Sequence, residues 1–253
     1  MRCFTDKRIF IFVCLNAALY ALILVFDIMR ATRGVTEAQG LLCDSFKYAA
    51  IISCLLICLI ARTHSRRDTA RIQAVVFCFT LAADYALLFT DFFATGVLFF
   101  LGAHAFALYR YRPRWLLPAG AVAAALFFLT LLLLPRLLRA DGHLTLVVAV
   151  CVAYAVLIIS VTISTFHAPQ PRINTLFSRG GMLLFICCDI NVAIFNALPY
   201  GSIPHTFSTV LMWAFYLPAQ TLLALSATDL KAFCLLRRTP HPVSQDLRKA
   251  PAP

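Results

Sequence analysis

Long apolar runs separated by short polar stretches dominate the chain. Eight of them read as membrane spans: Ile9 to Phe26, Phe46 to Ala61, Ile72 to Phe89, Phe92 to Tyr109, Trp115 to Leu134, Leu144 to Phe166, Gly180 to Leu198 and Thr206 to Ala227. Each approaches the roughly 20 mainly apolar residues that carry a helix across the hydrocarbon core. The pattern therefore predicts an all-α fold, a polytopic membrane bundle of about eight transmembrane helices. Residues 1–230 form its single domain, and residues 231–253 are expected as a short, disordered basic tail, since Pro240, Pro242, Pro251 and Pro253 stand there among charges. The first span follows Lys7 and Arg8. It is long for a signal-peptide core and no small-x-small cleavage site follows, so it reads as a retained anchor.

Composition agrees: 62% of the 253 residues are apolar and 13% charged, against about 45–50% and about 25% in a soluble domain. The formal charge of +11 does not point to nucleic acid, because the basic residues are scattered through short connections rather than gathered in one soluble domain. Their distribution reports orientation instead. Seventeen Lys and Arg fall on the side that holds both ends of the chain, including Arg62, Arg66, Arg67 and Arg71 in the second connection and Arg110, Arg112 and Arg114 in the fourth. Four fall opposite: Arg30, Arg33, Arg136 and Arg139. The positive-inside rule makes the richer side cytoplasmic, with both termini inside, in a bacterial cytoplasmic membrane or the endoplasmic reticulum. The third and seventh connections carry no Lys or Arg and are expected as tight hairpins on the far side.

Seven of the ten cysteines lie inside apolar runs, where cysteine acts mostly as a small hydrophobe. Cys54 and Cys58 have i, i+4 spacing and Cys187 adjoins Cys188, neither of which suggests a metal site. An internal echo is also visible. Spans three and four carry an acidic residue, a hairpin and a polar residue, and spans seven and eight repeat that order, as a parallel repeat of four helices would.

Ionisable residues inside the membrane carry the functional signal, because each costs at least about 2.5–3.5 kcal/mol to insert. Asp84 and Asp189 fall near the middle of spans three and seven, which run in one direction, so their carboxyls should lie within roughly 5 Å in depth and could share a cavity. Two readings are open: an interhelical hydrogen-bond clamp, or an acid–base pair, since burial among aromatics favours the protonated form of a carboxyl. Tyr85, Asn191, Asn196, Tyr216 and Gln220 are available partners in the same four spans. Lys47 starts span two on the far side, either pairing locally with Asp44 and snorkelling or meeting a carboxylate or lipid phosphate. His104 suits packing or catalysis. Asp91 is expected to cap span four.

The stretches FKYAAIISCLL, LAADYALLFTDFFATGVLFFLGAHAFALY, RGGMLLFICCDINVAIFN and FYLPAQTLLALS resemble the YhhN-like membrane family that includes lysoplasmalogenases. The resemblance spans about three quarters of the chain and singles out Lys47, Asp84, His104, Tyr109, Asp189, Tyr216 and Gln220. The chain departs from the family pattern where Tyr48 replaces proline, Ala83 glycine and Cys188 serine. What the resemblance implies is hydrolysis of the vinyl ether of a lysoplasmalogen to a fatty aldehyde and a glycerophospho-alcohol, without a cofactor or metal. Asp84 and Asp189 would be catalytic, one as acid and the other stabilising the cation and orienting water. Lys47, His104, Tyr109, Asn191, Tyr216 and Gln220 would bind substrate or support the site. The partners would be a lysophospholipid substrate and membrane lipids. The absence of a Gly-x-Ser-x-Gly elbow argues against a serine lipase, and the lack of lysine in the last four spans argues against a retinal Schiff base. A small-molecule or proton-coupled transporter, or a noncatalytic lipid-binding member of the family, are the competing readings.

Overall fold

The computed structural model describes residues 2–61, 67–90, 92–138, 141–168 and 170–228. Among the described residues eight helices run in order: α1 Arg2–Arg33, α2 Glu37–Ala61, α3 Arg67–Phe89, α4 Phe93–Tyr111, α5 Pro113–Leu138, α6 Gly142–His167, α7 Arg172–Ala197 and α8 Ile203–Leu225. All eight are long and apolar enough to cross a membrane, and the chain is a multi-pass membrane protein. The basic tail and Asp91 lie outside the described residues, so the expected cap from Asp91 does too; the residue at the N-cap position of α4 is Phe92.

Most helices are longer than their apolar runs. Hydropathy ends a run at the first charges, whereas backbone hydrogen bonding continues past the hydrocarbon edge until a cap or turn stops it. Thus α1 continues through Asp27 to Arg33 and α2 begins at Glu37, which brings Asp27 and Asp44 inside helices. At the start of α2, Thr36 and Gln39 exchange backbone and side-chain hydrogen bonds in a capping box. Asp141 caps α6 by accepting from the Leu144 amide at 2.7 Å, and Ser202 caps α8. The α3–α4 and α7–α8 connections are tight hairpins. In the latter, Gly201 has φ of 79° and Ser202 N–H bonds Pro199 O at 3.2 Å, a turn that favours glycine.

Six helices close a ring: α2, α3, α4, α6, α7 and α8 each pack on the next and α8 returns to α2, while α1 lies outside against α2 and α8 and α5 outside against α4 and α6. Exchanging α1–α4 for α5–α8 leaves this set of principal neighbours unchanged, so the echo in the sequence is a parallel repeat in space. Asp84 and Asp189 are each the eighteenth residue of their helix and occupy equivalent places. Both hairpins pack without room for a Cβ. One built at Gly96 would stand 2.6 Å from Leu87, and one at Gly181 would stand 2.8 Å from Leu223 and 3.1 Å from Ala219 O.

Pro218 does not unwind α8, which is continuous from Ile203 to Leu225. A proline cannot donate to the carbonyl four residues back. That carbonyl, on Ala214, accepts instead from the Tyr20 hydroxyl at 3.0 Å, the kind of outside partner that lets membrane helices tolerate proline.

Candidate active site

The interior of the ring holds an aromatic core with a carboxyl on either side. Asp84 of α3 is 4% exposed, and Tyr216 of α8 donates to its two oxygens at 2.9 and 2.8 Å. The Tyr216 ring is fixed by near-perpendicular contacts with Trp213 at 5.0 Å, Phe185 at 5.5 Å and Phe100 at 6.3 Å, an arrangement that aromatic quadrupoles favour. Ala83 and Cys188, which stand where the resembling family has glycine and serine, are both buried.

Asp189 of α7, half-buried, is held in the same manner by a different helix: Tyr154 of α6 donates to its Oδ2 at 2.7 Å. Phe100 lies between the two tyrosines, 6.3 Å from each ring. The carboxyls are therefore linked through clamping tyrosines across one phenyl ring. Neither carboxyl lines the cavity described below.

His104 stands edge-on to Tyr154 and to Phe185, 5.1 Å from both. Its Nδ1 is 2.8 Å from Phe100 O. A carbonyl only accepts, so Nδ1 is the donor and Nε2 of the neutral ring is left as an acceptor. Next to it is a cavity with about 20 Å³ of room for the centre of a water molecule, whose polar lining is Gln73, Thr80, His104, Tyr111 and Gln220. That holds water but not an alkyl chain. Gln220 is 2% exposed and its Nε2 has no hydrogen-bond partner.

Toward the end that carries the termini, Arg110 holds two of the lining side chains. Its guanidinium donates to Gln73 and, at 3.1 Å, to the Tyr111 hydroxyl, while Nη2 donates to Ser226 O and Oγ at 3.0 Å. Asn174 bonds Ser226 O and Thr228 O at 2.8 and 2.7 Å. A cation and an amide thus satisfy carbonyls at the end of α8 that lack helical partners.

At the opposite end, Lys47 is buried rather than snorkelling. Its Nζ is 2.8 Å from Asp27 Oδ1 and 3.5 Å from Asp44, and 5.1 Å from the centre of the Trp213 ring. The local pair with Asp44 exists, but the nearer partner is Asp27, and with two carboxylates around it Lys47 is not presented to a phosphate. Asp27 also accepts from Cys43 Sγ at 3.7 Å, while its Oδ2 is buried without a partner.

Among the other residues singled out by sequence, Tyr109 is 50% exposed and Tyr85 55% exposed. Both point away from the core, because each is rotated from the buried face of its helix. Asn196 is exposed as well. Asn191 is buried but spends its amide on the Cys187 carbonyl one turn back, at 2.7 Å, and so supports its own helix. Sequence reasoning missed Asp27, Tyr154, Gln73 and Arg110 as parts of this interior, and also Asn16, which bonds Ser53, Cys54 and Thr221 between α1, α2 and α8.

The model of the YhhN family matches residues 44–227. That stretch holds both Asp–Tyr pairs, the cavity and Lys47, and leaves Asp27 outside. No curated protein and no solved structure matches the chain.

Proposed function

The chain belongs to the YhhN family, and on that premise we propose that it is a membrane-embedded hydrolase cleaving the vinyl ether bond of lysoplasmalogens. The observation that carries the reading is the pair of intramembrane carboxyls at equivalent places in the repeat, each accepting a tyrosine hydroxyl. A buried carboxyl is costly unless it is partnered. Two of them, clamped in one orientation around a shared aromatic core, suit proton delivery to a reacting carbon and stabilisation of the cation that follows.

A vinyl ether accepts a proton at the alkene carbon remote from oxygen, giving an oxocarbenium ion. One aspartic acid delivers that proton and the other, as carboxylate, faces the positive charge, the division of labour of two carboxyls in glycoside hydrolysis. Water adds to the carbon bearing oxygen, and the hemiacetal falls apart into a fatty aldehyde and a glycerophospho-alcohol. Tyr216 and Tyr154 position the two carboxyls. A substrate with one hydrocarbon chain explains why the acids lie inside the bilayer. The reading places both termini in the cytoplasm, from the seventeen-to-four distribution of basic residues. Release of aldehyde from a 1-alkenyl lysophospholipid by the purified protein tests the proposal.

A further inference from the structure

The cavity beside His104 has a fixed relation to the first carboxyl. Thr80 precedes Asp84 by four residues on α3, Gln220 follows Tyr216 by four on α8, and His104 follows Phe100 by four on α4. Residues four apart share a helix face, and α3 runs opposite to α4 and α8. All three pairs therefore step in the same direction, and the cavity lined by Thr80, His104 and Gln220 lies about 6 Å, one helical turn, from the Asp84–Tyr216 pair. His104 connects it to the other carboxyl through Tyr154.

From this geometry we propose that the cavity holds the hydrolytic water between the Gln220 amide and Nε2 of His104; the inference rests on the hydrolase reading above. The room, about 20 Å³ for the centre of a water molecule, is close to what a single buried water needs, and such a water needs two or more polar partners. Gln220 supplies a buried amide that lies near the Tyr216 hydroxyl and whose Nε2 makes no geometric hydrogen bond within the protein. His104 supplies an acceptor, because its Nδ1 is engaged with Phe100 O. Val76, Ala103, Ala107, Met182, Phe185 and Leu223 make up the apolar wall.

In the reaction, the water oxygen forms a bond to the oxocarbenium carbon as its proton passes to His104 Nε2. The imidazolium then protonates the glyceryl oxygen while that C–O bond breaks, and the hemiacetal hydroxyl returns its proton to the aspartate ionised in the first step. The acid, the histidine and the charge balance are restored, and one water is consumed.

The test is a structure of the full-length protein in lipid nanodiscs at a resolution that shows ordered water, with turnover of a 1-alkenyl lysophospholipid by wild type, Gln220→Leu and His104→Leu. The expected result is one water between Gln220 and His104 in the wild type, lost in Gln220→Leu. Both variants should lose about 100-fold in kcat, the cost of a misplaced reactant, with KM unchanged. Gln220→Met replaces Gln220→Leu if the latter fails to fold, and the wild-type density stands on its own. An empty wild-type cavity, or folded variants with normal kcat, would overturn the proposal. A wild type that shows the water but cleaves no ether lipid sinks the hydrolase reading and the hydrolytic role with it.

Discussion

Tyr216 donates its hydroxyl to both oxygens of Asp84, at 2.9 and 2.8 Å, across 132 residues of sequence. This bond ties α8 to α3 across the ring, and its counterpart from Tyr154 to Asp189 ties α6 to α7. A clamp and a catalytic acid make opposite demands on these residues, and substitution separates them.

Asp84→Asn and Asp189→Asn keep the volume and the hydrogen bond from tyrosine but cannot exchange the proton. Each should reduce aldehyde release by about 100-fold to 10,000-fold, the usual contribution of a general acid or base, while the protein remains folded in the membrane. Tyr216→Phe keeps the ring contacts and should lose less. Near-normal turnover in both Asn variants contradicts the mechanism; unfolding of both favours the clamp.

The Lys47–Asp27 pair predicts a stability pattern rather than an activity pattern. Both side chains are buried, so removing Lys47 strands Asp27 at a cost of about 3–5 kcal/mol, while removing Asp27 leaves Lys47 with Asp44 at 3.5 Å and costs less. Lys47→Met and Asp27→Leu should each lower the thermal midpoint in detergent, and the double variant should recover most of the loss. Additive losses would show that the two charges do not depend on each other.

The basic residues predict topology. A reporter fused to either end should report the cytoplasmic side in both cases. Ends on opposite sides contradict eight crossings.

The spans and hairpins were legible in sequence because hydropathy and turn composition are local properties. Asp84 and Asp189 stood out because an ionisable group in an apolar run is costly wherever the helices pack. Rotation about the helix axis was not legible. His104, Ala107 and Tyr111 share the buried face of α4 while Tyr109 faces outward, a difference that only neighbouring helices define. Tyr154 gave no signal, since tyrosine in an apolar span is ordinary until its hydroxyl meets a carboxylate. Asp27 lay one residue beyond the apolar run that ends at Phe26, and its partner Lys47 is brought to it by the packing of α2 on α1.

The most direct measurement is aldehyde and fatty-acid release by the purified protein from a matched panel of 1-alkenyl, 1-alkyl and 1-acyl lysophospholipids, with the double Asp84→Asn, Asp189→Asn variant as the blank. Only the alkenyl compound has a carbon that protonation turns into a stabilised cation, and an acid pair has no nucleophile suited to an ester. The account predicts aldehyde from the 1-alkenyl compound, none from the 1-alkyl compound and little acid from the 1-acyl compound, all abolished in the blank. Preferential release of fatty acid would mark an esterase. No release from any lipid by folded protein would contradict the hydrolase and turn the two carboxyls over to transport or to a noncatalytic role.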